Sequence, residues 1–328
     1  MRIFNVGEVI QNTSENAKAN QDVFAATLLE LAKADKNIVA VTSDSRGSGK
    51  LVAFGQTLPK QIVEIGIAEQ NLVGVAAGLA STGKKAFAVS PACFLTARAL
   101  EQIKNDVAYS DNPVRLVGIS AGVSYGALGT THHSLHDYAV LRAINNLSII
   151  APADNFETKE AVKLAVNQDK PIYLRFGKKP MPLLTEDPQV GFEIGKGRVI
   201  RKGADVAIIA NGELVYPALQ AAIKLEQEFD IKATVVSMHT IKPLDAALVL
   251  ELAEKTQAII TVEEHMVNGG LGEACASLLL QSGYHKPFKI MGIPDEYTVT
   301  GSQVEIFNHY HLTADGIAAT VKELLVKH

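Results

Sequence analysis

Two segments of the sequence gather side chains able to do chemistry. In Glu64-Ile65-Gly66-Ile67-Ala68-Glu69-Gln70-Asn71-Leu72-Val73-Gly74-Val75-Ala76-Ala77-Gly78-Leu79-Ala80, an acidic residue stands at the mouth of a helix rich in small residues. Taken alone, Glu69 is an ordinary first-turn glutamate favoured by the helix dipole. If burial opposes that dipole, the same carboxyl becomes a group that can give and take a proton. The second segment, Gly122 to Asp137, carries His132, His133 and His136, three of the nine histidines. Neutral imidazole donates or accepts according to tautomer, which suits a hydroxyl-bearing substrate. As metal ligands these histidines fit poorly, because adjacent side chains diverge and no carboxylate falls at a familiar ligand spacing, so no metal site is assigned. Cys93 and Cys275 stand far apart without a nearby ligand partner and read as two reduced, buried thiols.

The elements that must position these residues alternate helix-period stretches with short β-branched runs, the pattern of a parallel sheet covered by helices. Helices are predicted from Val23 to Leu31, Asn71 to Ala80 and Ala97 to Ala108, with strands at Ile38–Thr42, Ala86–Val89, Val114–Val117, Ser148–Ile150 and Ile172–Leu174. The periodicity lapses between Gly177 and Gly197, where Lys178-Lys179-Pro180-Met181-Pro182 and Thr185-Glu186-Asp187-Pro188 restrict the backbone. Beyond it, strands near Val206–Ile209, Ala233–Val236 and Ala258–Val262 alternate with helices from Pro217 to Phe229 and Leu244 to Lys255. The expectation is an α/β protein of two domains, residues 1–187 and a smaller unit at 188–328.

With 328 residues and 47% hydrophobic content, each domain can bury its own core. A net charge of −4 with dispersed basic residues leaves no footprint for nucleic acid. No apolar run approaches the roughly 20 residues of a membrane helix, and the first residues carry no signal-peptide core, so no membrane partner and a cytoplasmic location are expected.

The Glu64–Ala80 segment resembles the pyrimidine-domain signature shared by transketolases, 1-deoxyxylulose-5-phosphate synthases and the β chains of 2-oxo acid dehydrogenases. The resemblance extends from about Asn20 to Leu325 and implies thiamine diphosphate as cofactor. It gives Glu69 the role of hydrogen-bonding N1′ of the aminopyrimidine, which favours the imino tautomer able to act as a base. Ser90-Pro91-Ala92-Cys93-Phe94-Leu95-Thr96-Ala97-Arg98-Ala99-Leu100-Glu101-Gln102-Ile103 is similar to the family segment whose phenylalanine stacks on that ring, which points to Phe94. Ser43-Asp44-Ser45 resembles the family's acidic turn at the cofactor cleft, at a strand's carboxyl end where open sheets place ligands; it reads equally as a simple turn or cap. Thr131-His132 matches the Thr-His of the transketolase substrate channel, with His133 in place of the usual Gln. Arg175, in Tyr173-Leu174-Arg175-Phe176-Gly177, resembles the arginine that binds the substrate's terminal phosphate, for which a planar fork is suited. Gly269-Gly270-Leu271-Gly272 reads as a tight loop ahead of a helix rather than a phosphate cradle.

Departures from the family pattern are informative. The family holds the diphosphate and Mg²⁺ through a Gly-Asp-Gly segment with a downstream Asn, and the sequence contains no Gly-Asp-Gly. The chain also opens on the pyrimidine-domain pattern. The expected partner is therefore an N-terminal transketolase subunit carrying that motif, in an α2β2 assembly. Leu128 and Ser120 stand where transketolases carry an Asp and a His that contact substrate, which puts ordinary xylulose-5-phosphate specificity in doubt. Ketol transfer between sugar phosphates is the leading function. A 1-deoxyxylulose-5-phosphate synthase or 2-oxo acid dehydrogenase β-chain activity is the enzymatic alternative, and a non-catalytic assembly subunit the remaining one.

Overall fold

Strands buried on both faces read as continuous apolar runs rather than alternating ones, and Ile38–Thr42 and Val206–Ala210 are each buried at every position in a computed structural model that describes residues 17–184 and 191–326. Around them grow two sheets. The first has seven strands in the order Thr240–Lys242, Ser148–Ile150, Ile172–Arg175, Arg115–Ile119, Lys85–Pro91, Ile38–Thr42 and Ile62–Glu64. All are parallel except Thr240–Lys242, which arrives from the C-terminal half and pairs antiparallel with Ser148–Ile150. The second sheet has five strands, Phe288–Ile293, Ala258–Met266, Val206–Ala210, Ala233–Ser237 and the antiparallel Arg198–Arg201. The architecture is α/β with parallel sheets, as expected.

One continuous core joins the halves, running from Val73 and Leu95 through Tyr173 to Ile209, Val236 and Val249. The opposite face of the first sheet is filled by Phe24, Leu28, Phe54, Phe87 and Phe176, with Phe24 and Phe176 stacked at 5.1 Å between centroids. Most predicted helices form with ends shifted by a few residues: Asn20–Ala34, Glu69–Ser81, Val215–Phe229 and Ala246–Lys255.

The helix expected from Ala97 to Ala108 differs. A first helix covers Ala92–Arg98 and ends where Ala99 leaves helical geometry, and a wider-wound segment follows at Ile103–Tyr109. The buried Thr96 hydroxyl donates to the Ala92 carbonyl one turn back, a contact that bends helices. The break sits beside the site described below, where such irregular winding is common. The domain boundary expected at 187/188 and the Thr185–Pro188 stretch lie outside the described residues.

Candidate active site

The site lies at the carboxyl ends of the first sheet's strands, where the connecting turns leave a crevice. The strand Ile62–Glu64 ends in a carboxylate that accepts from Asp44 N at 2.6 Å, Thr42 Oγ1 at 2.8 Å and Gly66 N at 3.1 Å. Gly66 then turns the chain at φ +80°, which favours glycine, and the Glu69–Ser81 helix begins. Glu69 is its first residue and is only 4% exposed. Its carboxylate accepts from Arg98 Nη1 at 3.0 Å on each oxygen. The same guanidinium lies 4.2 Å from the centroid of Phe94, which is half-buried.

His132 meets Phe94 edge-on at 5.2 Å and Tyr125 edge-on at 5.4 Å, while Lys178 Nζ lies 4.8 Å from the Tyr125 ring centroid. Contacts thus run from Glu69 through Arg98 and Phe94 to His132, residues expected on separate segments, and an open cavity of about 470 Å³ beside Glu69 is lined by Ile67, Ala68, Glu69, Gln70 and Arg98. The loop carrying His132 is anchored from the C-terminal half. Glu264 accepts from Val123 N at 2.9 Å, and a side chain at Gly122 (φ +61°) would strike that carboxylate, at 2.1 Å from its carbon. His132 Nδ1 lies 3.0 Å from Thr131 Oγ1, and His136 Nε2 lies 3.2 Å from Thr96 Oγ1.

Two residues expected to bind substrate, Arg175 and His133, have partners inside the protein. Arg175 is buried. Nε donates to Asp137 at 2.7 Å, Nη2 donates to the carbonyls of Ser134 and Glu264 at 3.1 and 2.8 Å, and the guanidinium lies 4.5 Å from the Tyr138 ring centroid. Burial raises the carboxyl pKa of Asp137, but the charges of Arg175 and His265 outweigh it and hold that pKa below its ordinary value. This arginine ties strand, loop and second sheet together through Nε and Nη2.

His133 is likewise buried, with Nδ1 2.7 Å from Thr298 Oγ1 and Nε2 2.9 Å from the Gly126 carbonyl. Both ring nitrogens thus have partners within the protein. Asp44 is exposed in a left-handed conformation (φ 51°), and its backbone N–H donates to Glu64. Ser120 is buried and Leu128 is 54% exposed.

The glycine cluster is filled from within. Glu263 accepts from Leu271 N at 2.7 Å and Gly272 N at 2.8 Å, and a Cβ at Gly270 would stand 1.9 Å from its carboxylate. The loop is therefore tight because a side-chain carboxylate caps the helix Leu271–Gln281. Cys93 and Cys275 are free and buried, and burial pushes the Cys93 thiol up to about 12.

Sequence reasoning assigned no role to Arg98, Tyr125 or Lys178. Arg98 was readable in part, since it lies four residues after Phe94 on one helix and so shares its face. Nothing local links it to Glu69, 29 residues earlier.

These residues fit an aminopyrimidine. A flat, nitrogen-edged group already rests on Phe94 and bonds Glu69, and the cavity beside them is large enough for a ring. For the diphosphate end, no cluster of three His, Cys, Asp or Glu side chains capable of holding a metal stands together among the described residues.

A parallel sheet sets a glutamate at a helix mouth close to an aromatic ring and a histidine loop. The chain belongs to the transketolase family: the profile for the transketolase pyrimidine binding domain matches residues 16–182 and that for the transketolase C-terminal domain matches residues 195–317. It is a C-terminal subunit of transketolase type. An apulose-4-phosphate transketolase subunit of Phocaeicola vulgatus is 48% identical over 96% of this chain and all of its own length. The 1-deoxy-D-xylulose-5-phosphate synthase of Heliobacterium modesticaldum is 38% identical over 92% of this chain but only 46% of its own. Among solved structures, a split gene transketolase in an inactive β4 tetramer superposes with a TM-score of 0.84 and 36% identity, covering 95% of this chain and 99% of that one.

Proposed function

We propose that the chain works with a second polypeptide as a thiamine diphosphate-dependent transketolase, moving a ketol unit between sugar phosphates or close analogues. The observation that carries this reading is the chain of contacts from Glu69 through Arg98 and Phe94 to His132, at the rim of an open cavity lined by Glu69 and Arg98. Bound there, thiamine diphosphate supplies the electron sink that ketol transfer requires. Glu69 bonds the ring's N1′ and holds or releases a proton there; Phe94 supports the ring's face. His132 reaches over Phe94 to bond donor oxygens and steady the charge that develops on the carbonyl. Asp44, on the adjacent turn, borders the cofactor cleft.

The partner would carry Mg²⁺ and the diphosphate in an α2β2 assembly. The lack of Gly-Asp-Gly in 328 residues supports this, as do the 75% exposed Ile67 at the cavity rim and the open space around Gly74 and Gly78 on the Glu69 helix. Apulose 4-phosphate, named for the 48% identical relative, is the first donor to try, consistent with Leu128 and Ser120 at substrate-facing positions of the family. We place the domain boundary at 187/188, supported by the first sheet's last parallel strand ending at Arg175 and the second sheet's first strand starting at Arg198. Cytoplasmic sugar metabolism suits this chemistry; no helix among the described residues is long and apolar enough to cross a membrane.

Reconstitution with a Gly-Asp-Gly-bearing partner chain, thiamine diphosphate and Mg²⁺ tests the reading. Ketose phosphate consumption dependent on an aldose acceptor is expected. Consumption of pyruvate instead would shift the function to synthase-type condensation, and no turnover with either would leave an assembly subunit.

A further inference from the structure

We propose that Arg98 competes with the cofactor's aminopyrimidine ring for Glu69 and Phe94, and that thiamine diphosphate binds by displacing it. The inference rests on the thiamine reading above and adds a residue that opposes cofactor binding. Arg98 Nη1 lies at 3.0 Å from both Glu69 oxygens, filling the space between them. Its guanidinium carbon lies 4.2 Å from the Phe94 centroid, at stacking distance. A protonated aminopyrimidine and a guanidinium are both flat cations with an N–H edge, and each satisfies a carboxylate and an aromatic face at once. The two claim the same pair of surfaces.

Burial explains why such a stand-in is present. The Glu69 side chain is 4% exposed, and a carboxylate so hidden needs a partner. Arg98 supplies one whenever the ring does not. Its own side chain is 49% exposed, at the last turn of a helix that Ala99 breaks, so it can swing to solvent without disturbing the core. A pair with one partner this exposed is weak, so it protects Glu69 without sealing the site. Only the fraction of molecules with Arg98 withdrawn is competent to take up the ring, and apparent affinity falls by that fraction.

Calorimetry of the cofactor-free two-chain complex with thiamine diphosphate and Mg²⁺ tests this without reference to turnover. Arg98→Gln removes the competing cation and should tighten binding about threefold to tenfold. Arg98→Lys keeps a charge for Glu69 but has no plane to lie on Phe94, and should tighten it by about twofold. If Arg98→Gln does not fold, Arg98→Lys decides. In the wild-type complex, the ¹⁵N signal of Arg98 Nε should move to the free-arginine position on saturation with cofactor. Unchanged or weaker binding in the folded variants, or an Arg98 signal unmoved at saturation, overturns the proposal. A wild-type complex that takes up no cofactor would remove the thiamine reading itself, a different failure from cofactor uptake without displacement.

Discussion

Glu69–Arg98 and Asp137–Arg175 are both arginine–carboxylate pairs, but solvent separates their purposes. In the first the arginine side chain is 49% exposed; in the second the partners are 4% and 0% exposed. Breaking a fully buried pair strands a charge and costs about 3–5 kcal/mol. Arg175→Ala is therefore expected to lower unfolding free energy by that order in a denaturant titration. Any change in KM should be the same for phosphorylated and uncharged acceptors. A selective loss for the phosphorylated acceptor would restore Arg175 to the substrate. Glu69→Gln acts differently, because its neighbour Arg98 is free to turn to water. The fold should survive, while exchange of the cofactor's C2 hydrogen in the reconstituted enzyme drops by orders of magnitude; exchange at the wild-type rate would remove Glu69 from proton transfer.

At the scale of elements, the two halves meet through carboxylates. Glu213, in the turn after Val206–Ala210, accepts from Lys179 N at 3.0 Å, Glu264, within Ala258–Met266, accepts from Val123 N at 2.9 Å, and the two share the side-chain amide of Gln303 at 2.8 and 3.0 Å. Burial, and then the neighbouring Glu264 charge, push the Glu213 carboxyl from 4.5 up to about 8, while burial pushes Glu263 to about 7. A carboxyl with a raised folded pKa contributes stability that is complete below its unfolded value and lost as pH rises through the folded one. Burial depresses His265 to about 4 and His239 to about 3, so their contributions are lost only as pH falls below about 6.5. Between pH 6.5 and 8 the folded-state histidines are neutral and only the upper tail of their unfolded-state titration remains, so the carboxyls dominate. Stability should fall across that window by on the order of 2 kcal/mol. Thermal melts of Glu213→Gln should show a flatter slope there, and an unchanged slope would exclude Glu213 as the source.

The runs at Ile38–Thr42 and Val206–Ala210 were legible because a strand buried on both faces is apolar throughout. The three-residue strand Thr240–Lys242 was not, since so short an edge strand carries no period. Local motif resemblance picked out Glu69, Phe94 and His132, and the structure links them through Arg98. The burial of Arg175 was not legible, because its partners Asp137 and Glu264 lie 38 and 89 residues away, and no local pattern announces them.

For the whole molecule, the sequence holds no Gly-Asp-Gly segment, and the proposed function assigns the diphosphate end to a partner. The chain alone is expected to bind thiamine diphosphate only weakly, while the assembled complex binds it tightly and is held together more firmly by it, as mass action requires. Sedimentation of the isolated chain and of the mixture, each with and without cofactor and Mg²⁺, checks both statements; tight uptake and turnover by the isolated chain would refute the two-polypeptide reading.

The strand Thr240–Lys242 ties this architecture to the integrity of the polypeptide. It covers an edge of a sheet whose six other strands come from residues before Arg198. A fragment ending before Arg198 would carry Ser148–Ile150 with its hydrogen-bonding edge bare, and bare edges recruit strands from other molecules. Such a fragment should self-associate on size exclusion, where the full chain with Lys242→Ala should not. Separate genes for the two domains of this chain would thus be costly, for the seam between them is stitched by backbone hydrogen bonds as well as by side-chain packing.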